Sequence, residues 1–211
     1  GGSLDEEDGT PQALALCDGL TLAHTGMLER VEGINPPVVL PEGGAPAAAF
    51  WIAAARELFE ETGLLLAAPD LAASARYRMR ERLLEGASWS ELLLREGLSL
   101  RCGSLHYLTR IVTPRIAPRR FDTRFFMAEA PDGQEATPFA AEVADYAWFS
   151  PDEAVRNLSF QLLVDHGTPG AAAAVEANGH GSFRLPPPTV FTLLLVSRFH
   201  AIDDLLRQLG P

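Results

Sequence analysis

Three carboxylates crowd the run Arg56-Glu57-Leu58-Phe59-Glu60-Glu61-Thr62-Gly63-Leu64. On a helix, Glu57, Glu60 and Glu61 stand at i, i+3 and i+4 and share one face. Arg56 is the one local cation, and like charges at that spacing destabilise a helix, so the cluster calls for a counter-ion. Carboxylate oxygens are hard donors, and Mg²⁺ or Mn²⁺ is the cation they suit. Such an ion offsets the charge of an anionic ligand and lowers the pKa of a bound water. A solvated acidic face satisfies the same spacing and stays open on these residues alone.

The chain contains no lysine, so arginine must supply any side-chain grip on an anion outside histidine, backbone N–H groups or metal. Arg110, Arg115, Arg119, Arg120 and Arg124 fall in a strand–loop–strand stretch, and their planar forks suit phosphate oxygens. Strand alternation puts Arg120 and Arg124 on one side with Asp122 between them, and Asp122 is expected to pair with an arginine rather than to act in catalysis. Glu142 and Glu135 are candidates for a carboxylate supplied from another loop, as metal contact or general base. Phe121, Phe125, Phe126 and Trp148 are expected in the core. The five histidines lack metal-ligand spacing and receive no role.

The 28 acidic residues outnumber the 17 basic ones, for a net charge of -11, which argues against general nucleic-acid binding. The expected partner is a small molecule, and a homodimer is allowed. No apolar run is long enough to span a membrane. The two cysteines, Cys17 and Cys102, show no metal or redox spacing and read as free thiols in a reducing compartment. The start lacks the pattern of a signal peptide, so the expectation is a cytoplasmic protein. Residues 1–3 read as a tag remnant and 4–211 as one mixed α/β domain, with 47% hydrophobic residues to fill its core.

Several elements must position these groups. Gln12–Cys17 and Leu20–His24 read as β-like runs joined by an Asp18-Gly19 turn. Pro37–Leu40 ends at Pro41-Glu42-Gly43-Gly44, where glycines permit close approach to a ligand. Ala47–Thr62 is helical and stops at Gly63. Leu71–Gly97 reads as two helices, the second opened by Ser88-Trp89-Ser90-Glu91. Leu105–Thr113, Arg120–Glu129 and Val143–Phe149 read as strands. Ser150-Pro151-Asp152-Glu153 starts a short helix, 167–181 is a loop, and one amphipathic helix runs from Thr189 to Leu209.

The run from Arg56 to Leu64 resembles the second half of the Nudix box, R-E-apolar-x-E-E-x-G-apolar, at every fixed position. The resemblance implies an α/β/α sandwich with a mixed sheet, and a Mg²⁺- or Mn²⁺-dependent pyrophosphohydrolase acting on nucleoside diphosphates linked to another group. Glu57, Glu60 and Glu61 match the motif's metal-binding and base-positioning carboxylates, and Arg56 matches its orienting arginine. Gly43 and Glu142 are further candidate metal contacts. The first half of the box departs from pattern. Ala48 stands where the family has Glu, and Glu42 where it has Gly, with Gly43 and Gly44 just after. That departure leaves open a Nudix-fold ligand-binding or regulatory module whose hydrolysis is weak or lost.

The stretches Tyr107–Pro114 and Arg119–Phe126 are similar to the divergent Nudix branch that includes the mammalian peroxisomal CoA diphosphatase. That branch also has a helical insertion after the box, here about 71–97, and a Pro-Pro-Thr start to its last helix, here Pro187-Pro188-Thr189. CoA or acyl-CoA is therefore the first substrate expectation, with ADP-ribose, dinucleotides and nucleotide sugars next.

Overall fold

The computed structural model describes residues 3–21, 47–113, 121–137, 148, 150–151, 153 and 187–209. Two compact units divide at Tyr146 and Ala147. The expected strand Val143–Phe149 and the loop 167–181 lie outside the described residues, apart from Trp148. Among the described residues no helix is long and apolar enough to cross a membrane.

The N-terminal segment departs from the expected first strand, Gln12–Cys17, while most of the expected second arm, Leu20–His24, lies outside the described residues. After a 3₁₀ turn over Glu6–Gly9, helix α1 spans Pro11–Ala15. Thr10 caps it, its hydroxyl accepting from Ala13 N–H at 3.2 Å, and Pro11 follows in the first turn. Threonine followed by proline is a helix-start signal, and it prevails over the apolar alternation that suggested a strand. Cys17 then makes an isolated parallel bridge to Leu100. The expectation of two free thiols is also corrected: Cys17 and Cys102 form a disulfide with their Cα atoms 5.5 Å apart. The two residues are 85 positions apart, so no local spacing announced the bond.

Helix α2, Ala48–Thr62, carries the acidic run, and its bounds agree with the expected helix. Alanines give it high intrinsic propensity, and Gly63 ends it in the left-handed region at φ 72°, donating its N–H to the Phe59 carbonyl at 2.9 Å. Trp51, Ile52, Ala55 and Phe59 are buried along one side. The Phe59 ring lies 5.6 Å from that of Trp89, and the Trp51 ring 5.0 Å from that of Phe126. The helix is thereby held between a helical pair and a β-ribbon.

That pair is α3, Ala73–Leu84, and α4, Trp89–Glu96, close to the expected positions. Ser88 caps α4, accepting from Glu91 N–H at 3.2 Å. Glu7 completes the cap from far away in sequence, accepting from Ser88 Oγ at 2.6 Å and Ser90 N–H at 2.8 Å. Burial penalises the Glu7 carboxylate, yet its bonds to residues 88–90 hold its pKa below the usual value.

Strands β1, Ala67–Ala68, and β2, Ser99–Leu100, pair antiparallel, as do β3, His106–Val112, and β4, Asp122–Met127. Arg110 stands opposite Arg124 in the second ladder. Phe126 packs on the core cluster as expected, whereas Phe121 and Trp148 are exposed, at 58% and 75%. Phe121 sits just outside β4.

In the second unit, Ser150 and Glu153 form the expected reciprocal cap: Ser150 N–H donates to Glu153 Oε2 at 2.9 Å, and Glu153 N–H to Ser150 Oγ at 3.3 Å. The expected single C-terminal helix is instead two, α5 over Pro187–Val196 and α6 over Ile202–Leu209. Between them the pattern tightens, with Arg198 and Phe199 N–H groups bonding carbonyls three residues back. The Ser197 hydroxyl donates to the Leu194 carbonyl, a local competitor of helical bonding. Residues 190–196 are apolar almost all round, so the amphipathic pattern belongs to α6.

Candidate functional site

Arg56 is the hub of the acidic run. Its Nη1 donates to Glu57 Oε1 at 2.9 Å and to Glu60 Oε1 at 3.3 Å. Its other edge is taken by Asp8: Nε to Oδ1 at 3.2 Å and Nη2 to Oδ2 at 3.0 Å. Nη2 also donates to the Ser3 carbonyl at 2.8 Å. Arg56 is 5% exposed and Asp8 1%. Burial alone would disfavour charge on Arg56, but the bonds and charges of Asp8, Glu60 and Glu57 outweigh it and raise its pKa.

Glu57 and Glu60 differ from Arg56 in lying partly open, their side chains 21% and 22% exposed. The Glu60 carboxyl is pushed upward, first by burial and then by the neighbouring Glu57 charge, against the opposing pull of Arg56. A carboxylate held in that condition is under-compensated, and a divalent cation would relieve it. Among the described residues no three carboxylate, histidine or cysteine side chains are gathered as a ready-made cage. Mg²⁺ does not need one, since it binds through one or two carboxylates and fills its remaining positions with water and phosphate oxygens. The donor set therefore fits a hard divalent ion by its chemistry.

Arg80 of α3 fixes the end of α2. Its Nε and Nη2 donate to the Glu60 carbonyl at 2.9 and 2.6 Å, and its Nη1 to the Thr137 carbonyl. Gln134 bonds both main-chain groups of Leu65, donating to its carbonyl at 3.2 Å and accepting from its N–H at 2.8 Å. The segment after β4 is thus laid against the C-terminal end of the acidic helix. Neither Asp8 nor Arg80 was singled out by residue pattern. Asp8 sits in the acid-rich run Asp5–Asp8, and Arg80 is one of four alternating arginines.

Of the arginines expected to hold phosphate, Arg110 and Arg124 are described and come together across the β3–β4 ladder. Asp122 pairs with them as expected: Arg110 Nε and Nη2 donate to its two oxygens at 2.5 and 2.6 Å, and Arg124 Nη1 lies 3.6 Å away. The Arg110 bonds hold the Asp122 carboxyl below its usual pKa. The Arg124 guanidinium lies 3.9 Å over the Phe50 ring. Phe50 is two helical turns before Glu57 and falls on the same side of α2. Arg115, Arg119, Arg120, Gly43 and Glu142 lie outside the described residues, while Glu135 is described and exposed.

No protein-family model matches the chain. It is 30% identical over 174 residues to a human protein named acyl-coenzyme A diphosphatase NUDT19, covering 74% of this chain and 41% of that protein. A relative from Caenorhabditis elegans, also named for the nudix family, is 28% identical over 153 residues, covering 71% of this chain and 44% of the relative. The chain thus spans less than half the length of these curated relatives. In fold it is similar to the crystal structure of a NUDIX hydrolase from Alicyclobacillus acidocaldarius, with a TM-score of 0.51 and 24% identity, over 84% of this chain and 72% of the other. The fold is α/β, the box-like run occupies α2 as a helix closed by Gly63, and the chain is similar in sequence to proteins named for the Nudix family and in fold to a NUDIX hydrolase.

Proposed function

We propose that the protein is a divalent-metal-dependent pyrophosphohydrolase that cleaves the diphosphate of a nucleoside-diphosphate derivative. The observation that carries this reading is the division of Arg56, which orients Glu57 and Glu60 with one nitrogen while leaving both carboxylates partly open. Glu57, Glu60 and Glu61 would hold Mg²⁺ or Mn²⁺, with Gly43 and Glu142 as further contacts. The ion supplies phosphate-charge neutralisation and a water of lowered pKa. The chain's own residues do the rest. Arg56 sets the carboxylate rotamers, and a carboxylate, either in the box or at Glu142 or Glu135, takes the proton from the attacking water. Arg110 and Arg124 hold the phosphate oxygens, sharing that task with Arg115, Arg119 and Arg120.

The α/β/α sandwich with a helical insertion over 71–97 belongs to this reading, and α3 and α4 support it. The name of the human relative makes CoA or acyl-CoA the first substrate to try. ADP-ribose, dinucleotides and nucleotide sugars follow. Incubation with each in Mg²⁺ or Mn²⁺, in ¹⁸O water and read by mass spectrometry, tests the reading and locates the attacked phosphorus. Two diphosphate-derived products from one substrate are expected. No product from any, alongside saturable nucleotide binding, would favour a binding module instead. Ala48, which opens α2 in place of the box glutamate, motivates that second reading.

A further inference from the structure

We infer that Asp8 is a positioning residue of the candidate metal site, acting through Arg56; this rests on the metal reading above. A guanidinium has two edges and one charge, and here they are divided. Asp8 takes the Nε/Nη2 edge with both carboxylate oxygens, at 3.2 and 3.0 Å, and leaves Nη1 to Glu57 and Glu60. Fixing one edge of the planar fork fixes the direction of the remaining nitrogen. It also spends part of the arginine's charge away from the glutamates. Without Asp8, the whole cation would fall to Glu57 and Glu60 and compete with any metal for their oxygens.

Several features show that this placement is built. Asp8 is 1% exposed, and its Oδ2 also accepts from Asp5 N–H at 2.9 Å. Glu7, next to it, caps α4, and Cys17, at the end of the same segment, is bonded to Cys102. The segment is therefore anchored on both sides of the carboxylate that enters the hub. By contrast, Asp5 meets Arg56 Nη2 at 3.5 Å with its side chain 59% exposed, a geometry worth little in water.

The test is Mn²⁺ titration of the full chain, followed by electron paramagnetic resonance, for wild type and the variants Asp8→Asn, Asp5→Asn and Glu60→Gln. Asp8→Asn is expected to weaken Mn²⁺ binding about tenfold, the scale of lost outer-shell support, while circular dichroism remains that of the folded protein. Asp5→Asn is expected to stay within about twofold of wild type. Unchanged Mn²⁺ affinity in folded Asp8→Asn, with binding lost in Glu60→Gln, overturns the Asp8 role and leaves the metal reading standing. Wild type that binds no Mn²⁺ overturns both. Should Asp8→Asn fail to fold, wild type decides by ¹⁵N resonance of the Arg56 guanidinium, assigned by its loss in Arg56→Lys. Slow rotation about Nε–Cζ, with and without Mg²⁺, supports the clamp; free rotation removes it.

Discussion

Arg80 and Glu60 meet through the main chain: two guanidinium nitrogens of Arg80 donate to the Glu60 carbonyl, at 2.9 and 2.6 Å. That carbonyl lies in the last turn of α2, where backbone acceptors lack helical partners and where the helix dipole favours a cation. Arg80 is 8% exposed, and burial lowers its pKa, so its charge is kept for a structural return. Replacement by methionine would strand the Glu60 and Thr137 carbonyls. The expected loss is about 1 kcal/mol in denaturant unfolding, the scale of hydrogen bonds lost at a part-buried Glu60 and an exposed Thr137. Arg80→Lys should recover less than half, because one ammonium replaces three nitrogens spread over a planar fork. A lysine variant as stable as wild type would refute this account.

Gly63 closes the same corner. At φ 72° it occupies the left-handed region, and a Cβ built there would stand 2.6 Å from Thr137 Oγ1 and 3.2 Å from Arg80 Nη1. Gly63→Ala therefore suffers twice, from backbone strain of about 1–2 kcal/mol and from displacing the Arg80 contact. Thermal unfolding should show a larger loss for Gly63→Ala than for Gly97→Ala, whose φ is 67° but whose Cβ would meet nothing within 4 Å. Equal losses would mean that the packing against Arg80 and Thr137 is idle.

Glu60 links stability to metal in opposite directions. Its carboxyl pKa is raised in the folded protein, first by burial and then by Glu57. A carboxyl with a raised folded pKa is a net burden once ionised, and the burden lifts as pH falls through the interval between its unfolded and folded values. In metal-free protein at neutral pH, Glu60→Gln should raise the melting temperature. The same change should abolish Mn²⁺ binding and turnover. Wild-type Mn²⁺ affinity should decline with acidification from a pH above the ordinary glutamate range. A destabilised Glu60→Gln that still binds Mn²⁺ would contradict both halves.

Local signals were readable in several elements whose cause and effect lie close in the chain. Helix α2 follows from its alanines and Gly63, the start of α4 from Ser88, and the Ser150–Glu153 cap from spacing alone. The acidic trio pointed to the family because its fixed positions sit within a single helix. Contacts distant in sequence stayed hidden. Asp8 reaches Arg56 across 48 residues, Glu7 reaches Ser88 across 81, and Cys17 reaches Cys102 across 85. No periodicity records such pairings. In the N-terminal segment and the C-terminal helices, side-chain capping and carbonyl competition at Thr10 and Ser197 overrode the apolar pattern.

Asp122 offers a pH test of the arginine pair. Arg110 and Arg124 are directly opposed on adjacent strands, an arrangement that like charges make unfavourable, and Asp122 lies between them. Its carboxyl pKa is lowered, chiefly by the bonds from Arg110. A depressed carboxyl contributes stability above its unfolded pKa and loses it as pH falls through the folded value. Asp122→Asn should therefore cost stability at neutral pH, and the cost should vanish in acid, below the ordinary aspartate range. Because the Asp122 side chain is 38% exposed, solvent screening keeps the neutral-pH cost to about 1 kcal/mol. The variant should also bind inorganic pyrophosphate at least as tightly as wild type, since it removes a carboxylate that competes for the same guanidinium donors. Weaker pyrophosphate binding in a folded Asp122→Asn would mean that Asp122 orients the arginines for phosphate rather than neutralising them.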